Sequence, residues 1–265
     1  MRAERARPLR RSATLALTAA FLAPVALLLV WSFAGRWPWP APLPSRWRAS
    51  AWIDLAGTGG LGAAALRSLG IATTVAFAAT GLGFVTCRSA AEARSRDVLR
   101  LLLHLPFALS PVVLGVGLEY SFLRAGLAGR TAGVVLAQGM LAYAYALILL
   151  SGLWNARTRA YLEGAATLGA APRQGWVLVL LPIARPLLVL CFVQTFLISW
   201  FDYALVLLIG GGRVVTLTTS LYQFLLSGDL RLAAASALLL LLPPLVALAA
   251  HRHLRPTAFA ADPGF

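Results

Sequence analysis

The sequence predicts an all-α fold: a polytopic membrane protein with six transmembrane helices. Three observations indicate this class. Of the 265 residues, 60% are apolar, only 12% are charged, and the apolar residues are concentrated in long runs with little charge. A soluble domain has about 25% charged residues and does not need such runs. We therefore predict that residues 1–265 form a single transmembrane domain.

Six apolar stretches are long enough to cross a bilayer, because about 20 helical residues span its hydrocarbon core. The third stretch contains His104 and Glu119, and the fifth contains Asp202. The first stretch is longer than the apolar core of a signal peptide, and no convincing cleavage site follows, so we interpret it as a retained span. The predicted spans are residues 13–33, 68–87, 101–123, 131–154, 186–209 and 232–250.

The net charge of +14 comes from 23 arginines, with no lysine. Nucleic-acid-binding proteins also carry such charge. Here, however, the arginines lie at the ends of the apolar stretches, so we predict a lipid bilayer and no nucleic acid as partner. If the N terminus is inside, 15 of the 23 arginines fall on the inner side. The positive-inside rule then predicts a multi-pass protein of the cell inner (plasma) membrane with both termini in the cytoplasm.

Candidate chemical groups are sparse. Cys87 and Cys191 have no CxxC or Cys/His spacing, so we predict two small apolar fillers and no metal site. The three histidines and the scattered acids form no catalytic cluster, which argues against an integral-membrane enzyme. We assign no catalytic residue. A Gly-rich phosphate loop ending in Gly-Lys-Ser/Thr is absent, so ATP is not expected to bind to this chain by that route.

The segment Asn155–Arg185 differs from the other connections because it is 31 residues long and lies on the predicted cytoplasmic side. It predicts two short helices, at about 158–168 and 172–181. A glycine just past a helix end, here Gly169, takes a positive φ without strain. Proline suits a first helical turn, as at Pro172, and closes or kinks a helix, as at Pro182.

The same segment carries a recognisable motif. It reads Glu163-Gly164-Ala165-Ala166-Thr167-Leu168-Gly169, then nine residues, then Val179-Leu180-Leu181-Pro182. This resembles the EAA motif of ABC importer permeases, in which E-A-A, three residues, G, nine residues, I, one residue and L-P follow one another. Gly164 replaces the usual Ala, and Val179 replaces Ile. Gly164 weakens the first helix by up to about 1 kcal/mol.

Other segments, 66–69 at the second span and 105–117 in the third, are similar to this family as well, so the resemblance extends over most of the chain. It implies a type I, MetI-like permease whose loop is a coupling helix that docks on a separate ATPase. By this resemblance the ATPase-coupling residues are Glu163, Gly164, Ala165, Ala166, Gly169, Ala170 and Pro182.

The resemblance also implies partners. They are an ABC ATPase dimer, which binds ATP and Mg²⁺, a second permease copy or a related permease, and a periplasmic or extracellular solute-binding protein. No cofactor is expected on this chain, and it is not expected to be an enzyme. The alternative is an ATPase-independent secondary transporter or another polytopic protein. A secondary transporter would require inverted repeats or broken helices with paired charges.

Polar residues in the predicted spans are candidates for the translocation path, because charged groups in a bilayer usually face protein or water. Acidic groups near the outer mouth would suit a cationic solute. The alternative is that they pair with Arg124, Arg213 or backbone groups and hold helices together. The candidates are Glu119, Gln138, Trp200, Asp202 and Tyr203.

The predicted outer connection between the fifth and sixth spans contains 210–213, three glycines and an arginine, followed by the threonine-rich 216–219. This pattern resembles the permease subgroup for ferric iron, thiamine and polyamines. The alternative is a flexible outer turn.

Overall fold

The computed structural model describes residues 2–37, 40–57, 60–92, 105 and 109–253. Helices dominate these residues, and the two short strands pair antiparallel. His104 and most of the start of the third predicted span lie outside the described residues. In chain order the elements are α1 (Arg2–Phe33), β1 (Ala34–Arg36), β2 (Arg46–Trp47), α2 (Ser50–Ala56), α3 (Leu61–Glu92), α4 (Pro111–Arg124), α5 (Thr131–Ser151), α6 (Ala156–Thr167), α7 (Pro172–Gln174), the π-helical turn π1 (Gly175–Leu180), α8 (Leu181–Trp200), α9 (Ala204–Gly210), α10 (Leu217–Leu226) and α11 (Leu230–His253).

The chain forms two compact parts, which we describe separately. The first comprises the described residues of Met1–Ala65 and Leu217–Phe265, where α1 and α10 both pack along α11. The Asp229 carboxylate caps α11 by accepting a hydrogen bond from the Leu232 N–H at 3.1 Å. The centres of the Trp31 and Trp37 rings lie 4.6 Å apart, so the end of α1 packs against the residue that follows β1.

The second part, Leu66–Thr216, contains a continuous apolar core built around α5. This helix is apolar on all sides, as expected of a helix surrounded by protein or lipid. Close contact with α3 depends on Gly83, where an added Cβ would lie 2.9 Å from the Ala146 Cβ. Ser110 starts α4 by accepting a hydrogen bond from the Val113 N–H at 3.3 Å, and Pro111 occupies the first turn.

Within the described part of the chain, five helices are long and apolar enough to cross a membrane. They cover 16–33, 61–89, 131–151, 172–200 and 230–249, and each overlaps one predicted span. The predicted span 101–123 is represented by the 14-residue α4, preceded by residues that the structure mostly does not describe. The mostly helical membrane fold is thus confirmed, and the sixth span stays a prediction.

The fifth predicted span, 186–209, is not one uninterrupted helix, so this prediction was wrong in that respect. α8 begins earlier, at Leu181, and ends at Trp200, and the chain leaves helical geometry before α9 begins at Ala204. An apolar run sets where a chain is buried but does not require the helix to be continuous. A polar residue within the run, Asp202, lies in the break and accepts hydrogen bonds from backbone N–H groups at the start of α9, as shown below.

The sequence predicts that the second loop helix ends or kinks at Pro182, and the first of these alternatives is wrong. From α7 through π1 to α8 the chain stays helical, with Pro182 in the first turn of α8. Proline has no N–H to donate to the residue four positions back, here Leu178. Immediately before it the register widens, since the Leu181 N–H donates to the Trp176 carbonyl five positions back. This π register accommodates the proline without ending the helix.

A candidate coupling hairpin and a buried polar helix break

Residues Asn155–Leu180, here called the α6 hairpin, start at a side-chain cap. The Asn155 Oδ1 accepts hydrogen bonds from the Thr158 N–H at 3.0 Å and the Thr158 Oγ1 at 3.3 Å. Thr158 is buried, so the capped first turn of α6 is protected from solvent at this residue. Asn at an N-cap stabilises a helix by about 1 kcal/mol over Ala.

A tight turn ends α6 at the position that the sequence predicts. Gly169 has φ +84°, its N–H donates to the Ala166 carbonyl at 3.0 Å, and the Ala170 N–H donates to the Ala165 carbonyl at 3.0 Å. These two bonds with a left-handed glycine form a Schellman motif, which satisfies carbonyls that a helix end leaves unpaired. The turn reverses the chain within a few residues.

The second arm of the hairpin starts from Ala171, which is extended. The Ala171 N–H donates to the Gln174 Oε1 at 2.8 Å, and Pro172 takes the first helical position. Gly175 is buried, and a Cβ added to it would lie 3.5 Å from the Leu162 Cδ2. Leu162 of α6 therefore packs at ordinary contact distance against the second arm at Gly175.

The predicted coupling residues occupy different positions on this hairpin. Glu163, Gly164, Ala166 and Gly169 are exposed, while Ala165 and Ala170 are half-buried. The structure brings Glu163, Ala165, Ala166 and Ala170 together around an open groove of about 380 Å³, whose rim also includes Arg88 and Arg159. Gly164, Gly169 and Pro182 lie outside the lining of this groove, and Pro182 belongs to α8.

One exposed residue at the tip of the hairpin was not singled out from the sequence. Leu168, the C-cap of α6, is 90% exposed, the largest exposed fraction among the large apolar side chains described. Its place between the helix and the left-handed glycine gives it no neighbour to pack against. The apolar character of a residue next to the predicted turn is the signal that could have identified it.

A cluster of aromatic and sulfur side chains at the base of the hairpin was also missed. Trp154, directly before the cap, donates from Nε1 to the Cys87 Sγ at 3.0 Å, and the Arg88 guanidinium lies 5.3 Å from its ring centre. Trp176 packs between Trp154 and Phe84. Cys87 is thus buried, as a small filler should be, but it is also a hydrogen-bond acceptor. Its partner is 67 residues away, so local sequence gives no signal for the contact.

The break between α8 and α9 contains two of the predicted path residues, Asp202 and Tyr203. The Gln138 Nε2 donates to the Asp202 Oδ2 at 2.9 Å, and the Ser199 Oγ donates to the Gln138 Oε1 at 2.6 Å. The Asp202 carboxyl also accepts from the backbone N–H groups of Leu205 and Val206, at the start of α9. We call Gln138, Ser199 and Asp202 the polar triad.

The other path candidates are not members of this triad. Trp200 is buried and stacks on Phe196, with ring centres 5.7 Å apart. Tyr203 is half-buried and directly precedes α9, and Glu119 is half-buried on α4. Arg124, a proposed partner for the acids, donates to the Tyr120 hydroxyl at 3.2 Å. Among the described residues, no group of three His, Cys, Asp or Glu is placed to hold a metal ion.

Comparison with known families identifies the class. Residues 79–259 match the family model for the inner membrane component of binding-protein-dependent transport systems. The match covers more than half of the chain and includes the α6 hairpin and the polar triad. The chain therefore belongs to this family of membrane transport components, which are not enzymes.

Individual relatives agree with the family. The chain is 37% identical over 172 residues to the molybdenum transport system permease protein ModB of Mycobacterium bovis, and equally to that of Mycobacterium tuberculosis. The match covers 60% of this chain and 65% of each relative, so it spans slightly less than two thirds of their length. These names do not support the ferric iron, thiamine or polyamine subgroup.

A solved structure supports the fold. The chain resembles one from a bacterial ABC transporter involved in the import of the acidic polysaccharide alginate. The TM-score is 0.76 over 96% of this chain and 98% of the other, at 14% sequence identity. At that identity the similarity speaks for the helical permease fold alone.

Proposed function

We propose that this chain is a permease subunit of an ABC importer and forms half of a solute path through the inner membrane. The family match and the permease names of the relatives support this function. The observation that carries it is the α6 hairpin: an exposed short helix, ended by a left-handed glycine, with an apolar side chain at its tip. A second permease chain completes the path, a solute-binding protein delivers the solute, and both chain termini lie in the cytoplasm.

The ATPase docks on the α6 hairpin in this proposal. Leu168 is 90% exposed in this chain and supplies apolar area that a docked ATPase would cover. Burying a leucine contributes about 1.5–3 kcal/mol. Small residues on α6, such as Ala166, allow a partner surface to approach the helix closely. ATP and Mg²⁺ bind to that partner and not to this chain.

Association of the ATPase with the purified permease tests this docking. Leu168→Glu should weaken it at least about tenfold, because the apolar contact is lost and a charge would have to be buried. Leu226→Glu is the matched control: this leucine is 85% exposed at the end of α10, on the predicted outer side. Equal affinity of the two variants, or no ATPase co-purifying with the wild-type chain, would overturn the proposal.

For the solute we propose an oxyanion of the molybdate type in place of the cation expected from the sequence. The molybdenum transport relatives support this choice, since molybdenum dissolves in water as molybdate. Asp202, the main acidic candidate for a cation, is instead engaged by Gln138 and by backbone N–H groups. The test is ATP hydrolysis by the assembled transporter with its binding protein: molybdate should stimulate it, and stimulation by iron, thiamine or a polyamine alone would refute the assignment.

A further inference from the structure

The inner half of α3 presents three side chains to the base of the α6 hairpin. Phe84, Cys87 and Arg88 are spaced i, i+3 and i+4, which places them on one face of the helix. All three contact an indole: Phe84 contacts Trp176, whereas Cys87 and Arg88 contact Trp154. Two tryptophans that flank α6 in sequence thus meet one face of a helix from an earlier part of the chain.

The cluster contains two kinds of contact, ring packing and a hydrogen bond. Trp176 packs edge-on against Phe84, with ring centres 5.5 Å apart, and lies 5.8 Å from Trp154 at a tilted angle. Such ring contacts tolerate sliding. The 3.0 Å hydrogen bond from Trp154 Nε1 to Cys87 Sγ is directional and nearly enclosed, with Cys87 at 0% and Trp154 at 7% exposure. It therefore fixes the register between hairpin and α3.

The contacts continue on both sides of the cluster. On the hairpin side, Leu162 of α6 packs on Gly175, the residue before Trp176. On the other side, α3 is held to α5 by the tight Gly83 contact and by a 2.9 Å hydrogen bond between Thr86 Oγ1 and the Tyr143 hydroxyl. These contacts link α6 to the residue before Trp176 and hold α3 to α5.

We propose that Trp154, Cys87 and Trp176 are positioning residues that transmit movement of the α6 hairpin to α3. This inference rests on the proposed function, because it assigns the movement to the docked ATPase. The Trp154–Cys87 hydrogen bond is the fixed point of the connection. Without it the rings still fill the space, but the hairpin moves without carrying α3 along.

Two substitutions of Cys87 separate this role from simple packing. Serine keeps an acceptor for the Trp154 N–H and a donor for the Phe84 carbonyl, which Cys87 Sγ contacts at 3.1 Å. Alanine removes both and leaves the indole N–H without its partner. We expect Cys87→Ser to keep transport near the wild-type level and Cys87→Ala to lower solute transported per ATP hydrolysed by about fivefold.

The measurement uses the complete transporter in proteoliposomes, with its ATPase and binding protein, and radioactive molybdate as the probe. ATP hydrolysis without binding protein should stay unchanged in Cys87→Ala, because the ATP site lies on the partner. Thermal unfolding identifies any variant that is merely unstable. If Cys87→Ala does not fold, Trp154→Phe replaces it, since phenylalanine keeps a ring and leaves no unpaired buried donor.

Trp52→Phe is the matched control for Trp154→Phe. Its indole nitrogen is buried and has no hydrogen-bond partner among the described residues, so removing that N–H should leave coupling unchanged.

Three results would overturn the inference. The first is that Cys87→Ala or Trp154→Phe transports as much solute per ATP as wild type. The second is that Cys87→Ser loses as much as Cys87→Ala, and the third is that Trp52→Phe loses as much as Trp154→Phe. A wild-type chain that binds no ATPase refutes instead the proposed function.

Discussion

The turn of the α6 hairpin and the polar triad lie at opposite ends of the continuous helical stretch 172–200, about 43 Å apart along its 29 residues. The hairpin turn is held by hydrogen bonds between residues no more than five positions apart, around Gly169. The polar triad joins positions 61 and 64 residues apart, through Gln138. The turn at Gly169 is thus stabilised by local hydrogen bonds, whereas the break at Asp202 depends on a side chain from another helix.

The difference follows from solvent access. At the exposed hairpin, carbonyls that the Schellman turn leaves unpaired are solvated, so a glycine and a proline are enough to shape the chain. At the break, Gln138 and Ser199 are buried and Asp202 is half-buried, so polar groups freed there depend on protein partners. The Asp202 carboxyl serves the N–H groups at the start of α9, and Gln138 in turn serves Asp202. A broken helix inside the protein therefore requires side chains from elsewhere.

The largest expected effect breaks the polar triad. Gln138→Leu keeps a similar volume but leaves Asp202 Oδ2 without its donor and Ser199 Oγ without its acceptor. We expect a loss of about 3 kcal/mol in the free energy of unfolding, since buried groups left unpaired cost about 1–3 kcal/mol each. Thermal unfolding in detergent measures the change. Gln223→Leu, an exposed glutamine on α10, should shift stability by less than about 0.5 kcal/mol. Equal unfolding temperatures for the two variants would mean that the triad does not stabilise the break.

A smaller effect is expected at the hairpin from Gly169→Ala. An added Cβ there meets open space, so the cost is conformational: φ is +84°, a region that L-residues avoid. We expect about 1 kcal/mol, seen as roughly fivefold faster hydrogen exchange at the Ala170 amide, which closes the turn. Unchanged exchange would show that the turn does not depend on glycine.

The smallest effect, of opposite sign, is expected from Gly164→Ala, which restores the alanine usual in the family motif. Gly164 lies within α6, its φ is not positive, and an added Cβ meets nothing within 4 Å. The substitution should stabilise α6 by up to about 1 kcal/mol, since glycine is a poor helix former. Slower hydrogen exchange within α6 is the readout. Destabilisation by both glycine variants would indicate that the helix surface is crowded rather than open.

The predictions from the sequence succeeded where structure is encoded locally. The place of Gly169 just past a predicted helix end predicted a positive φ, and Pro172 predicted a helix start; both are present. Pro182 misled because proline usually ends a helix, whereas the π register before it absorbs the missing N–H. The fifth span misled because its apolar composition did not reveal that Asp202 caps the start of a new helix.

The candidate site was predictable to a lesser extent. The motif located the hairpin, and family membership confirmed the class of protein. The assignment of individual coupling and path residues stays a prediction. Glu119 and Asp202 were equal candidates before the structure was known, but only Asp202 belongs to the hydrogen-bonded triad. Trp154 and Cys87 carried no local signal, because a long-range contact leaves no periodicity in either segment.

The sequence by itself determined the membrane class, the approximate places of the five spans that the described residues contain, and the α6 hairpin. These depend on apolar run length, arginine placement and turn residues, all of which act over a few residues to about 20. The tertiary structure alone decided that α8 stops at Trp200, that Asp202 is paired, and that Cys87 accepts from Trp154. Those features depend on which side chains meet when helices pack, and packing brings together residues that are more than 60 positions apart.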